Sequence, residues 1–139
     1  MFVRTDGHLW KIARIGRNKK CRALSGICVV LCSDRSVKLS PAIIDLAFVY
    51  DTSHHFESPN STLASIPDAL KPGGMLVVAD FKRIPGESRE FLLNHVRAGK
   101  EVFRSEIESA GFEVVKEADI AGFEENYFLK FRKVAAKSL

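Results

Sequence analysis

Asp51-Thr-Ser-His-His55 is the stretch where side chains capable of chemistry stand closest together. Two imidazoles follow a carboxylate at once in the chain, and histidine takes and releases protons near neutral pH. His54 or His55 would suit a general base, given an acceptor within hydrogen-bond reach. Without function, the same residues read as a structural or merely exposed histidine pair, with Asp51 an ordinary polar end to a strand. Asp80 offers a second carboxylate, either touching a substrate cleft or simply ending its strand. A metal centre is not expected: Asp51, His54 and His55 could bind a cation, but adjacent histidines project differently and no third ligand is apparent. His95 falls at helical spacing among Phe91, Leu92 and Val96, the place of a hydrogen-bonded core histidine. Cys21, Cys28 and Cys32 match no zinc spacing and form no Cys-x-x-Cys pair, so they read as buried free thiols.

The elements that must position these groups are short. Ile27–Cys32 is an apolar, β-branched strand, closed by Ser33-Asp34, and the polar stretch Arg35–Ser40 reads as a loop. A second buried strand, Ile43–Tyr50, leads into Asp51. Ser58-Pro59 looks like a helix N-cap with proline at the first helical position, followed by Leu63, Ile66 and Leu70 at helical spacing. Pro67 should kink that helix or fray its last turn. Lys71-Pro-Gly-Gly74 reads as a turn into the strand Met75–Ala79. That run lacks polar alternation, which suits a strand covered on both faces, and Asp80 stands at its carboxyl end, where open α/β sheets bind ligands. Ser88 is placed to cap a further helix, Lys100–Ala110 forms another, and Gly111 stops it. Strands at Phe112–Val115 and Asn126–Lys133 complete an α/β layered domain with an antiparallel pair at its end.

The chain has 139 residues, enough for one domain with a real core, and its 46% hydrophobic and 27% charged residues argue against disorder. No apolar run approaches the roughly 20 residues that span a bilayer. The start, Met-Phe-Val-Arg-Thr-Asp-Gly-His, lacks the apolar segment of a secretory signal, which points to the cytoplasm. Residues 1–26 read as a basic segment, with Leu9, Trp10, Ile12, Ala13 and Ile15 suggesting one or two amphipathic turns. Lys11, Arg14, Arg17, Lys19, Lys20 and Arg22 carry much of the net charge of +4. Nucleic acid is disfavoured as a partner, because no aromatic side chains are interleaved there for base stacking. Residues 135–139 are a tail.

Taken together, Ile44-Asp-Leu-Ala-Phe-Val-Tyr-Asp51, His54-His55-Phe56, Leu70-Lys-Pro-Gly-Gly74 and Ala110-Gly-Phe-Glu-Val-Val115 resemble class I S-adenosylmethionine-dependent methyltransferases. The resemblance covers residues 27–134 and implies a partial, Rossmann-like α/β domain, with S-adenosylmethionine as cofactor and a small molecule as methyl acceptor. It implies that Ser33 and Asp34 line the adenine pocket, and that Asp51 and Thr52 lie beside the methionine half. Ser53 and Asp80 would border the substrate cleft, with His54 or His55 as base where the acceptor must lose a proton. The family's glycine-rich loop and the acidic residue ending its second strand have no visible counterpart, since only Gly7, Gly16 and Gly26 occur early. A βαβ unit takes roughly 30 residues or more, so an N-terminally truncated fold is expected. The lack of an Asn/Asp-Pro-Pro-Tyr/Phe motif argues against base methylation. Two other readings stay open: a non-catalytic remnant that self-associates through an exposed sheet edge, and a basic module on nucleic acid.

Overall fold

Runs of β-branched and aromatic residues broken by glycine, proline and small polar residues set where the strands begin and end. The computed structural model describes residues 2–5, 8–13 and 27–134, with side chains from residue 30 onward. Strands β1 (Phe2–Thr5), β2 (His8–Ala13), β3 (Ile27–Leu31) and β4 (Ile44–Tyr50) precede helix α1 (Pro59–Ala69). Strand β5 (Leu70–Phe81), helices α2 (Glu90–His95) and α3 (Lys100–Ser109), and strands β6 (Phe112–Glu117) and β7 (Asn126–Lys133) follow. The seven strands form one sheet in the order β3-β2-β1-β4-β5-β7-β6. β4 and β5 are parallel, as are β2 and β3, whereas β1 runs against both its neighbours and β7 against both of its own. The expected α/β layering and the antiparallel final pair are both present.

Two expectations for the first 26 residues change. The stretch beginning at Leu9 is a strand and not a helical turn: His8–Ala13 pairs along both sides, with β1 and with β3. Backbone pairing overrides a local apolar spacing that suits either structure. The edge that a missing first strand would leave on β4 is taken by β1, with Phe2 opposite Phe48 and Arg4 opposite Leu46. β1 and β2 join by an antiparallel hairpin, which needs no crossover helix. Gly7, Gly16, Gly26, Cys21 and the basic residues Arg14–Arg22 lie outside the described residues.

One face of the sheet carries the core. Ala47, Leu76 and Phe131 lie side by side across β4, β5 and β7, and Val49, Val78 and Leu129 form the next row. All six are buried, and Leu63, Ile66, Phe103 and Ile107 of α1 and α3 join them in one apolar cluster. Side chains alternate along a strand, so this face continues along β5 from Leu76 and Val78 to Asp80, opposite Tyr127. A carboxylate thus occupies a row that the packing otherwise fills with apolar groups.

The turn expected at Lys71–Gly74 is an irregularity inside β5. Ile44 pairs with Leu70 and Leu46 with Met75, so the four residues 71–74 stand against the single residue Asp45 and bulge out between those pairs. Gly73 has φ +75°, and a Cβ on Gly74 would stand 2.9 Å from the Lys71 carbonyl oxygen and 3.0 Å from Leu70 Cδ2. Gly74→Ala is expected to cost about 1–3 kcal/mol, because a backbone oxygen cannot step aside cheaply. Urea unfolding would show this as a lower midpoint at unchanged slope, and a midpoint equal to the parent's would mean the bulge yields freely. α1 runs through Pro67 to Ala69, where the Leu70 N–H bonds the Ile66 and Pro67 carbonyls. Ser88 does not cap α2: its hydroxyl donates to the Lys82 carbonyl, 3.0 Å away, and accepts from the Ile84 N–H. Among the described residues, no helix is long and apolar enough to cross a membrane.

Candidate active site

β4 delivers the histidines by a tight reversal. Asp51 adopts φ +47°, a left-handed conformation that a residue with a Cβ rarely takes, and its N–H still bonds the Ala79 carbonyl at 2.9 Å. Thr52 pins the reversal by donating its hydroxyl to the Tyr50 carbonyl, 2.6 Å away. Ser53–His55 then forms one 3-10 turn, closed by the His55 N–H on the Thr52 carbonyl at 3.0 Å. This turn swings Ser53 and His54 inward over the end of β5, where both are buried.

Asp80 receives them. It is 0% exposed, and a carboxylate taken from water into such a place must be compensated by hydrogen bonds. Four donors supply them. Oδ1 accepts from His54 Nδ1 at 2.6 Å and from the Phe81 N–H at 2.8 Å. Oδ2 accepts from the Ser53 hydroxyl and, at 3.3 Å, from the His54 N–H. An ionised carboxylate only accepts, so this bond fixes the His54 proton on Nδ1 and leaves a lone pair on Nε2. Nε2 is buried without a hydrogen-bond partner among the described residues, 4.0 Å from the half-exposed Asp51 carboxylate. Tyr127, across from Asp80, has its phenol pushed up, first by burial and then by the Asp80 charge.

His55 and His95 close the outer side. His95 is exposed, with its ring 5.0 Å from that of His54 and 4.9 Å from that of His55. This corrects the core role expected of it: α2 has six residues and buries only Leu92, leaving Phe91 exposed and stacked on His95. The His55 pKa is lowered, first by burial and then by the neighbouring His54 and His95 imidazoles, against an upward pull from Asp51 and Asp80.

Beside this cluster, a cavity of about 260 Å³ opens between the chain leaving β3 and the chain leaving β4. Ser33, Asp34, Thr52 and His55 line it, together with Val37, Phe56 and Thr62. It therefore gathers three of the four residues expected at a cofactor; Asp51 stands next to Thr52 but is not among the lining residues. Ser53 and Asp80, expected at a substrate cleft, are buried behind His54. Val37 and Thr62 were not singled out by sequence, and Phe56 only as part of the motif His54-His55-Phe56. A lone valine inside the polar stretch Arg35–Ser40 was the available signal: Val37 is 2% exposed, and its N–H bonds Ser65 Oγ at 3.0 Å.

Residues 9–78, half of the chain, match the family model described as a methyltransferase domain. The chain belongs to the class I S-adenosylmethionine-dependent methyltransferases. Among solved structures, an S-adenosylmethionine-dependent methyltransferase from Aquifex aeolicus is similar, with 17% identity and a TM-score of 0.68 over 80% of this chain and 57% of that one. Another from Mesorhizobium loti has 12% identity and a TM-score of 0.68, covering 91% of this chain and 81% of that one. A (4+2)-cyclase is similar at 14% identity and a TM-score of 0.64, covering 80% of this chain and 57% of that one. This methyltransferase-family chain thus spans 57% of the length of two of these relatives. Such identities carry the fold alone, and one fold serves several reactions. No match was found among curated proteins.

The cavity's donor set fits one end of the family's cofactor. Val37 and Phe56 offer apolar walls for a flat heteroaromatic ring, and the half-exposed Asp34 carboxylate offers an acceptor for an exocyclic amine. Ligand pockets commonly run from about 300 to 1,000 Å³, so this volume suits the adenine end and not the whole cofactor.

Proposed function

We propose that this chain binds S-adenosylmethionine with its adenine end against Val37, Phe56 and Asp34, and methylates a small-molecule nucleophile beside His54. The observation that carries the reading is the Asp80–His54 pair, whose buried geometry leaves one basic nitrogen facing the rim formed by Asp51, His55 and His95. The cofactor supplies an already activated methyl group, so the protein's share is positioning and, where needed, removal of the acceptor's proton. His54 takes that proton on Nε2. Asp80 holds the ring in orientation and stabilises the imidazolium that results; Ser53 holds Asp80. His55 stands at the boundary between the cavity and the His54 ring, 4.0 Å from it, and shapes the acceptor's approach.

Calorimetry with S-adenosylmethionine on the full chain tests the binding half of this reading. Saturable heat is expected, with Asp34→Ala weakening affinity about 5–30-fold through a lost charged hydrogen bond of roughly 1–2 kcal/mol. Absence of heat at millimolar cofactor would sink the proposal for this chain.

A further inference from the structure

Three imidazoles converge from two separate segments, beside the cavity that His55 lines. His54 and His55 come from the 3-10 turn and His95 from the last turn of α2. One ligand atom of each ring lies within 4.8 Å of the other two. Adjacent histidines on an extended chain would point apart, but the turn brings these two rings to 4.0 Å, and His95 supplies the third donor that sequence alone did not reveal.

His54 has the surroundings of a metal ligand. Its Nδ1 donates to a buried carboxylate, the arrangement that orients most metal-bound histidines, and its Nε2 is buried and unpartnered among the described residues. The other two rings are exposed at the surface. Metal–nitrogen bonds of roughly 2.0–2.1 Å require nitrogens about 3.3 Å apart in a tetrahedron, an inward movement within reach of side-chain rotation. We propose that His54, His55 and His95 bind a borderline divalent cation, Zn²⁺ foremost, with Asp80 orienting His54 from behind. Three imidazoles suit zinc, nickel or copper and not magnesium or calcium, which demand oxygen donors. The half-exposed Asp51 carboxylate or a water completes the set. The site needs neither the methyl donor nor an acceptor to form, but it draws on the same His54 nitrogen that takes the proton in the proposed methyl transfer. A cation and a proton compete for the same Nε2, which makes the metal-bound and metal-free chains distinct states.

The test is titration of Zn²⁺ into the full chain after chelator treatment, followed by calorimetry, with Co²⁺ absorption as a second readout. One equivalent is expected to bind at micromolar concentration or tighter, Mg²⁺ not at all, and Co²⁺ to show ligand-field bands without thiolate charge transfer. His55→Ala and His95→Ala change exposed side chains, so their folds should hold by circular dichroism. Each should weaken Zn²⁺ at least about 10-fold. Binding unchanged in both variants, or a thiolate band pointing to Cys21, Cys28 or Cys32, would overturn the proposal, as would no Zn²⁺ binding.

Discussion

Asp80→Ala is expected to destabilise the fold by about 3–5 kcal/mol, among the largest losses available to a single polar substitution here. The reason is an accounting of donors. The Ser53 hydroxyl, the His54 N–H, His54 Nδ1–H and the Phe81 N–H all end on this one carboxylate. Alanine removes the acceptor from all four at once, in a place closed by the buried Tyr127 opposite on β7. Each buried donor left unmade costs about 1–3 kcal/mol, less whatever water entering the small void restores. Asp80→Asn keeps the volume and one oxygen, so about half the loss should return. The measurement is the urea midpoint at constant slope for both variants. A loss under about 1 kcal/mol for alanine would mean that the network contributes geometry and little stability.

The sequence made this site half legible. Strands β4 and β7 and helix α3 were readable because their apolar residues repeat at the spacing of the structure they form. Tyr127, Leu129 and Phe131 are buried on alternate positions, and Phe103 and Ile107 on one helical face. β1 and β2 were not readable: they pair with each other locally but are held on their outer sides by the distant β4 and β3, and Leu9, Trp10, Ile12 and Ala13 suit either period. The carboxylate at Asp80 and the histidines at 54 and 55 stood out as polar groups ending apolar strands. What joins them is a contact across 26 residues, which local periodicity does not encode. One clue was present: counting by twos from Leu76 through Val78 lands on Asp80, so the buried face of β5 ends in a charge that must be paired. His95 misled for the opposite reason. Its spacing promised an apolar face, but a helix of six residues has room to bury one turn only: Leu92 takes it, and Val96 is buried just past the helix end.

If His54 is the base in methyl transfer, His54→Ala should lower kcat about 10²–10⁴-fold toward an acceptor that must lose a proton, with little change in cofactor affinity. His54 is not among the residues that line the cavity with Val37 and Phe56, so the binding contribution of the cavity remains. Asp80→Asn should act in the same direction by another route. An amide that turns its NH₂ toward Nδ1 favours the opposite tautomer, placing the proton on Nε2 where the lone pair is needed. Because the two residues act as a unit, the double variant should be no slower than His54→Ala alone, whereas independent contributions would multiply. Running both arms with chelator present keeps a cation from occupying Nε2 and mimicking either loss. An acceptor that is already deprotonated, such as a thiolate, supplies the control: it has no proton to give, so its rate should be indifferent to His54→Ala. Equal losses for both acceptor types would reassign His54 from proton transfer to positioning, with Asp80 holding a wall of the cleft instead of a base.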